Sequence, residues 1–308
     1  MRLLMISAMY ENGGNTTHRL LDGHPEFMVY PFESQTGTKY VLDFLTSLYP
    51  VKYRWPVFPI GVSAAEAYEM IIDEEAKVRS KTPYVSKFRT AVFEMDDKER
   101  KEIFIKKLEG IPLTRKALTQ AFFFATFAAW RNHRKSGKET AYVGYSPIIG
   151  VDAEKIITDY GKDGFILHII RNPFSAYADT KKRPVPLSLE HYITGWVTCQ
   201  YLVGIYAEKY PKQCFILRYE DIIADKREAL SDLFTSMGIK YSELIEYPSW
   251  NGEPLSEVYP WGTIRIPTEE VNIQTAKELS KQEIDEIYLR TKKYLEHFDY
   301  LSIYRKIT

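Results

Sequence analysis

Met9 to Phe27 reads MYENGGNTTHRLLDGHPEF and follows directly on the apolar run Leu3-Leu4-Met5-Ile6. A short strand that empties into Gly13-Gly14-Asn15-Thr16-Thr17, and at once into a helix pattern, leaves several backbone N–H groups at the positive end of a helix dipole. Such a turn is suited to holding a phosphate or sulfate group. The stretch therefore predicts an anion-binding loop in the first β–α unit of an α/β fold; a plain β–α turn is the alternative reading of the same residues.

Three further β-type runs lie downstream, at Ala141–Tyr145, Phe165–Ile170 and Cys214–Arg218, to set beside Leu3–Ser7. Helix patterns alternate with them at Ala153–Tyr160, Leu189–Tyr210 and Lys226–Met237, the last stopped by Gly238. Strands alternating with helices predict a three-layer α/β/α arrangement around a central parallel sheet. From Tyr40 to His133 the pattern becomes aromatic-rich and mostly helical, without a flanking Gly/Ser linker. The expectation is one domain over residues 1–308 with 40–133 as a helical insertion.

Hydrophobic residues make up 45% of the 308, ample for a large core. Lysine plus arginine (41) equals aspartate plus glutamate (41), so no global field draws the chain to nucleic acid or an anionic membrane. Any polyanion site must be local. Two cysteines, Cys199 and Cys214, lack metal-ligand spacing and read as buried thiols in a reducing compartment. The most hydrophobic helical stretch, Ala121 to Trp130, is about half of what a bilayer requires, and the N-terminal run is short for a signal peptide. A cytoplasmic protein with no transmembrane segment is expected. The basic cluster Arg131, His133, Arg134, Lys135, Lys138 falls where a helix should end, which a favourable dipole interaction explains.

A Walker A loop needs a lysine and a hydroxyl after its second glycine, but Gly137-Lys138 is followed by Glu139 and Gly161-Lys162 by Asp163. An ordinary ATP or GTP hydrolase is disfavoured. A second constellation, ILHIIRNPFSAYADTKKRP from Ile166 to Pro184, delivers Arg171 to the C-terminal edge of a buried strand, where open α/β sheets bind ligands. Asn172-Pro173 then opens a helix. An arginine there can fork onto two phosphate oxygens, or pair with a carboxylate.

Together the two stretches resemble the cofactor motifs of the sulfotransferases that use 3′-phosphoadenosine 5′-phosphosulfate (PAPS). NGGNTTHRLLDGHP is similar to the family's S-G-T-T-x-x-x-x-L-L-D-x-H-P loop, RNPFSAYADT to its R-x-P-x-x-x-x-x-S motif, and LRYEDII (Leu217–Ile223) to its R-Y-E-D-L strand end. The resemblance implies a P-loop kinase-like sulfotransferase fold, with PAPS as sulfuryl donor and 3′,5′-adenosine bisphosphate as product. It implies that Gly13, Gly14, Asn15, Thr16 and Thr17 wrap the 5′-phosphosulfate and that Arg171 grips the 3′-phosphate. Three positions depart from the pattern. Glu11 stands where a basic residue is usual, Tyr145 where a lysine is frequent, and Asp179 where the motif's serine falls, which makes Thr180 the substitute hydroxyl. Arg265, in the Gly/Pro-punctuated loop YPWGTIRIPTEE, is the candidate second clamp on the cofactor phosphates.

Glu33 lies nine residues after His24, close to where some members carry the glutamate that deprotonates the acceptor hydroxyl. An alcohol is a poor nucleophile at neutral pH, so transfer to it benefits from a positioned carboxylate base. His18 is the rival base. The acceptor is expected to be a small molecule, glycan or lipid hydroxyl, with an amine as the alternative, and the aromatics Tyr40, Tyr49, Tyr53, Trp55 and Phe58 are candidates to line its pocket or to fill the core. The competing readings are a small-molecule kinase of P-loop-like fold and a catalytically inactive nucleotide-binding module.

Overall fold

In the computed structural model, which describes residues 1–81, 92–255 and 268–308, every strand run expected from the sequence is a strand. The chain opens with β1 (Arg2–Ser7), α1 (Gly14–Leu21) and the three-residue β2 (Phe27–Val29). It then runs through α2 (Ala64–Met70), α3 (Glu74–Lys81), α4 (Asp97–Lys107) and α5 (Arg115–Ala129) before β3 (Ala141–Tyr145). Next come α6 (Ala153–Tyr160), β4 (Gly164–Ile170), α7 (Pro173–Thr180), α8 (Leu189–Lys209), β5 (Cys214–Arg218) and α9 (Tyr219–Ala224). The remainder holds α10 (Lys226–Ala229), α11 (Ser231–Met237), the small hairpin β6 (Ser249–Trp250) and β7 (Glu253–Pro254), then α12 (Glu269–Ala276), α13 (Lys281–His297) and α14 (Leu301–Ile307).

Strands one to five form a wholly parallel sheet in the order β2-β3-β1-β4-β5. Both faces are covered, so β3 and β4 are buried at every position and read as continuous apolar runs. The two-residue side-chain period of β1 divides the core: Leu3 and Met5 join the layer holding Trp55, Phe122 and Val203, while Leu4 and Ile6 join the opposite one with Leu21, Leu233 and Phe234. The fold is thus α/β with helices on both sides of the sheet. The expected helix over 226–237 is divided at Leu230, whose backbone N–H closes α10 and whose side chain is buried, and Gly238 ends α11 in the left-handed conformation at φ 61°.

The hydrophobic stretch around Ala121 is part of α5, packed inside the core through Phe122, Phe123 and Phe127. No helix among the described residues is long and apolar enough to cross a membrane. Beyond α5, Arg131 pairs with Glu99 and Arg134 with Glu253, and His133 packs on Trp130, so the basic cluster is a paired helix end. Cys199 and Cys214 are both free and buried.

Beneath the C-terminal edge of the sheet, His168 is completely buried. Its Nε2 donates to Gln200 Oε1 (2.9 Å), its Nδ1 accepts from the Ser7 hydroxyl (3.0 Å), and Ser7 Oγ in turn accepts from Gly150 N (2.9 Å). That chain of bonds is complete for a neutral ring. Burial pushes the imidazole pKa down to about 4. Below its unfolded pKa of about 6.5 the unfolded chain therefore takes a proton that the native chain refuses, so stability falls as pH drops from about 6.5 towards 4. His168 alone should account for about 3 kcal/mol of that loss. Urea unfolding at a series of pH values checks this: His168→Gln should flatten the slope between pH 6.5 and 4, and an unchanged slope would show that His168 carries none of it.

Candidate active site

β1 delivers the chain to the C-terminal edge of the sheet at Ser7, and the turn that follows needs two left-handed residues close together, Glu11 (φ 61°) and Gly13 (φ 90°). Gly13 is the N-cap of α1 and makes no side-chain capping bond; the helix's first backbone bond is Thr17 N to Gly13 O at 3.0 Å. The N–H groups of Gly14, Asn15 and Thr16 precede that bond and have no intrahelical acceptor, so the start of α1 presents them with the positive end of its dipole. The hydroxyls differ in use. Thr17 Oγ1 donates back to Gly13 O (3.1 Å), and Thr16 lies beside the Tyr219 hydroxyl.

Both glycines are also demanded by close approach. A Cβ on Gly13 would lie 2.2 Å from Tyr219 Cδ2, and one on Gly14 would lie 2.4 Å from Tyr145 Cε2. The rings at the end of β3 and the start of α9 therefore press against the loop, and they set its position against the sheet. Tyr145, which occupies the frequent lysine position, is a packing residue here.

Glu33 is buried just beyond β2. Its neighbour pins it to the sheet edge: Ser34 N donates to Tyr145 O (2.5 Å) and Ser34 Oγ accepts from Tyr145 N (2.9 Å). The Tyr53 hydroxyl lies beside the Glu33 carboxylate, which acts on it electrostatically. Burial, with the Glu33 charge adding to it, raises the pKa of Tyr53 and Tyr145; at Tyr10 burial and Glu33 outweigh the opposing Arg183 charge and push the hydroxyl up to about 12. The carboxylate thus stands among three neutral tyrosines, one of which touches Gly14.

His18 lies inside α1, with Arg19 Nη2 2.8 Å from its Nδ1 and the Tyr145 ring beside it. Burial first, and the Arg19 charge second, hold its pKa well below the ordinary imidazole value. It is a neutral, enclosed ring. The rest of the LLDGHP ending is architectural: Asp22 accepts from Ser249 Oγ (2.8 Å) and Gly252 N (2.9 Å), and His24 Nε2 donates to Lys240 O (2.9 Å).

Arg171 leaves β4 and reaches back to the glycine loop. Its Nη1 donates to Glu11 O (2.9 Å) and to Asp179 Oδ2 (2.8 Å), its Nε to Asn272 Oδ1 (2.7 Å), and its backbone N to Asn12 Oδ1 (2.9 Å). Behind it, Glu220 accepts from Asn172 and Asn272 through one oxygen and from Tyr300 through the other. Sequence reasoning missed Asn272, which is far along the chain on α12 and has no local signal. The expected hydroxyl is not available: Thr180 is fully buried and donates to Ala176 O (2.7 Å) within α7. Ser175 is likewise spent on Asn272 O (2.6 Å). Arg265 lies outside the described residues.

Of the candidate pocket aromatics, Tyr53 reaches Glu33, while Tyr49 and Trp55 are core residues bonded to Gly195 O (2.5 Å) and Asp159 Oδ2 (2.7 Å). Phe58 lines a separate groove with Ile60, Leu113 and Arg115.

No protein-family model matches the chain, and no curated protein matches it. Among solved structures it is similar to the sulfotransferase domain of the Synechococcus PCC 7002 olefin synthase, at 14% identity over 90% of this chain and 93% of that one, with a TM-score of 0.47. The sulfotransferase domain from the curacin biosynthetic pathway is similar at 12% identity, 84% and 81% coverage and a TM-score of 0.46. A sulfotransferase from Alicyclobacillus acidocaldarius is similar at 12% identity, 93% and 94% coverage and a TM-score of 0.39.

Proposed function

We propose that the chain is a sulfotransferase that moves a sulfuryl group from a nucleotide 5′-phosphosulfate to an acceptor hydroxyl, with PAPS as the donor that the loop motifs imply. The observation that carries this is the meeting of two opposite devices at one sheet edge: an uncapped helix N-terminus that attracts an anion, and a buried carboxylate, Glu33, linked to it through Tyr145. The donor set fits the phosphosulfate end. Its backbone N–H groups need no side-chain cation to bind an anion, and they are placed to stabilise charge that develops on a leaving phosphate oxygen. When bound, the donor supplies an electrophilic sulfur with a phosphate leaving group.

The chain's own residues do the rest. Glu33 accepts the acceptor's hydroxyl proton, and the surrounding rings, Tyr53 among them, keep water from it. The acceptor is a carbohydrate, lipid or small-molecule alcohol. Incubation with a sulfate-labelled nucleotide 5′-phosphosulfate and a cell extract is the test: wild-type protein should transfer label to an acceptor, and Glu33→Gln should not. Binding of the nucleotide without transfer would make the chain an inactive binding module, whereas magnesium-dependent ATP turnover would make it a kinase.

A further inference from the structure

Four cations gather beside the glycine loop, and each has a carboxylate. Arg171 pairs with Asp179 at 2.8 Å, Lys181 with Glu283 at 2.7 Å, Lys182 with Glu278 at 2.6 Å and Arg183 with Glu11 at 3.9 Å. Lys182 also stands 3.4 Å from Asp179. Among the described residues these four cations, Arg171, Lys181, Lys182 and Arg183, are matched by four anions, Asp179, Glu278, Glu283 and Glu11. Its hydroxyls are spent as well, Ser175 on Asn272 O and Thr180 on Ala176 O. What the edge offers is the carboxylate of Asp179, whose side chain is 29% exposed.

A phosphate placed against Arg171 would meet that carboxylate as a like charge, whereas a ribose hydroxyl would donate to it. The same exchange of acidic for basic side chain separates dinucleotide sites that take a free ribose hydroxyl from those that take a ribose phosphate. We infer that the nucleotide received by this loop carries an unphosphorylated ribose, an adenosine 5′-phosphosulfate type of donor, and that Asp179 is the residue that selects it. The inference rests on the reading of the loop as a nucleotide phosphosulfate site and replaces PAPS, the donor that the motifs imply, with its counterpart lacking the ribose phosphate.

Calorimetry on the full chain with adenosine 5′-monophosphate and 3′,5′-adenosine bisphosphate tests it. Wild-type protein should bind the monophosphate at least as tightly as the bisphosphate. Asp179→Ser should favour the bisphosphate by at least about tenfold relative to wild type, because Arg171 keeps its bonds to Asn272 and Glu11 O and loses the carboxylate that offsets its charge. Asp179→Asn, which preserves shape, should shift the ratio in the same direction and serves if the serine variant does not fold. A wild-type preference of tenfold or more for the bisphosphate, or an unchanged ratio in folded variants, overturns the inference and leaves the sulfotransferase reading standing. Failure of wild-type protein to bind either nucleotide overturns both.

Discussion

Glutamine in place of Glu33 is expected to lower turnover by about 10²–10⁴-fold while leaving nucleotide affinity nearly unchanged. The amide keeps the shape of the side chain, but it cannot take a proton. The loss should therefore fall on the chemical step. The nucleotide contacts proposed above run through the N–H groups at the start of α1, which the substitution does not touch. Single-turnover measurement of label transfer, with calorimetry beside it, separates the two quantities. Transfer at near wild-type rate would place the base elsewhere, and His18 would be the first alternative despite its enclosure beside Arg19.

The largest stability effect is expected at Arg100. This side chain is completely buried, with Nη1 on Asp73 Oδ2 (2.7 Å), Nη2 on Asp97 Oδ1 (2.8 Å) and Nε on the Tyr68 hydroxyl (2.6 Å). Tyr30 donates to the other oxygen of Asp73 at 2.8 Å. Arg100→Ala leaves Asp73 charged and uncompensated in the core, which should cost about 3–5 kcal/mol in urea unfolding. Replacing Arg100 and Asp73 together by apolar residues of similar volume should recover much of that loss, since the pair's desolvation cost is then removed with it. A loss below about 1 kcal/mol in the alanine variant would contradict the assignment. The network also bears on the site. Asp73 N donates to Gln35 O and Glu74 N to Gln35 Oε1, so the segment carrying Glu33 is tied to the same cluster on both sides. Arg100→Ala protein that remains folded should therefore also transfer label more slowly than wild type.

The positions of β3 and β5 were legible to the residue, and β1 and β4 to within one residue at their starts; for β1, β3 and β4 the reason is that a strand buried on both faces is largely apolar. Helices bounded by Gly161 and by the Ser188 cap were equally plain. β2 was not, since three residues show no period, and its strand character comes from pairing with β3. At the site, the glycine turn was legible because left-handed backbone and ring contact leave few alternatives to glycine. The placement of Glu33 was an expectation from spacing; its burial among Tyr10, Tyr53 and Tyr145 depends on three distant segments.

Asp179 shows the boundary most clearly. From the sequence it is a carboxylate that would repel a phosphate; in the fold, Asn172-Pro173 turns α7 so that Asp179 faces Arg171 and holds it, while Thr180 turns inward. Trp55 and Tyr49 were open to either pocket or core for the same reason, and packing made them core. By itself the sequence determined four of the five sheet strands, the helices between the last three of them and the glycine turn, because hydrophobic period, capping and backbone conformation act over a few neighbouring residues. The partners of Arg171, Asn272 and Glu33 were decided only by tertiary structure, because residues more than a hundred positions apart meet through packing, and nothing in the local chain records which ones will.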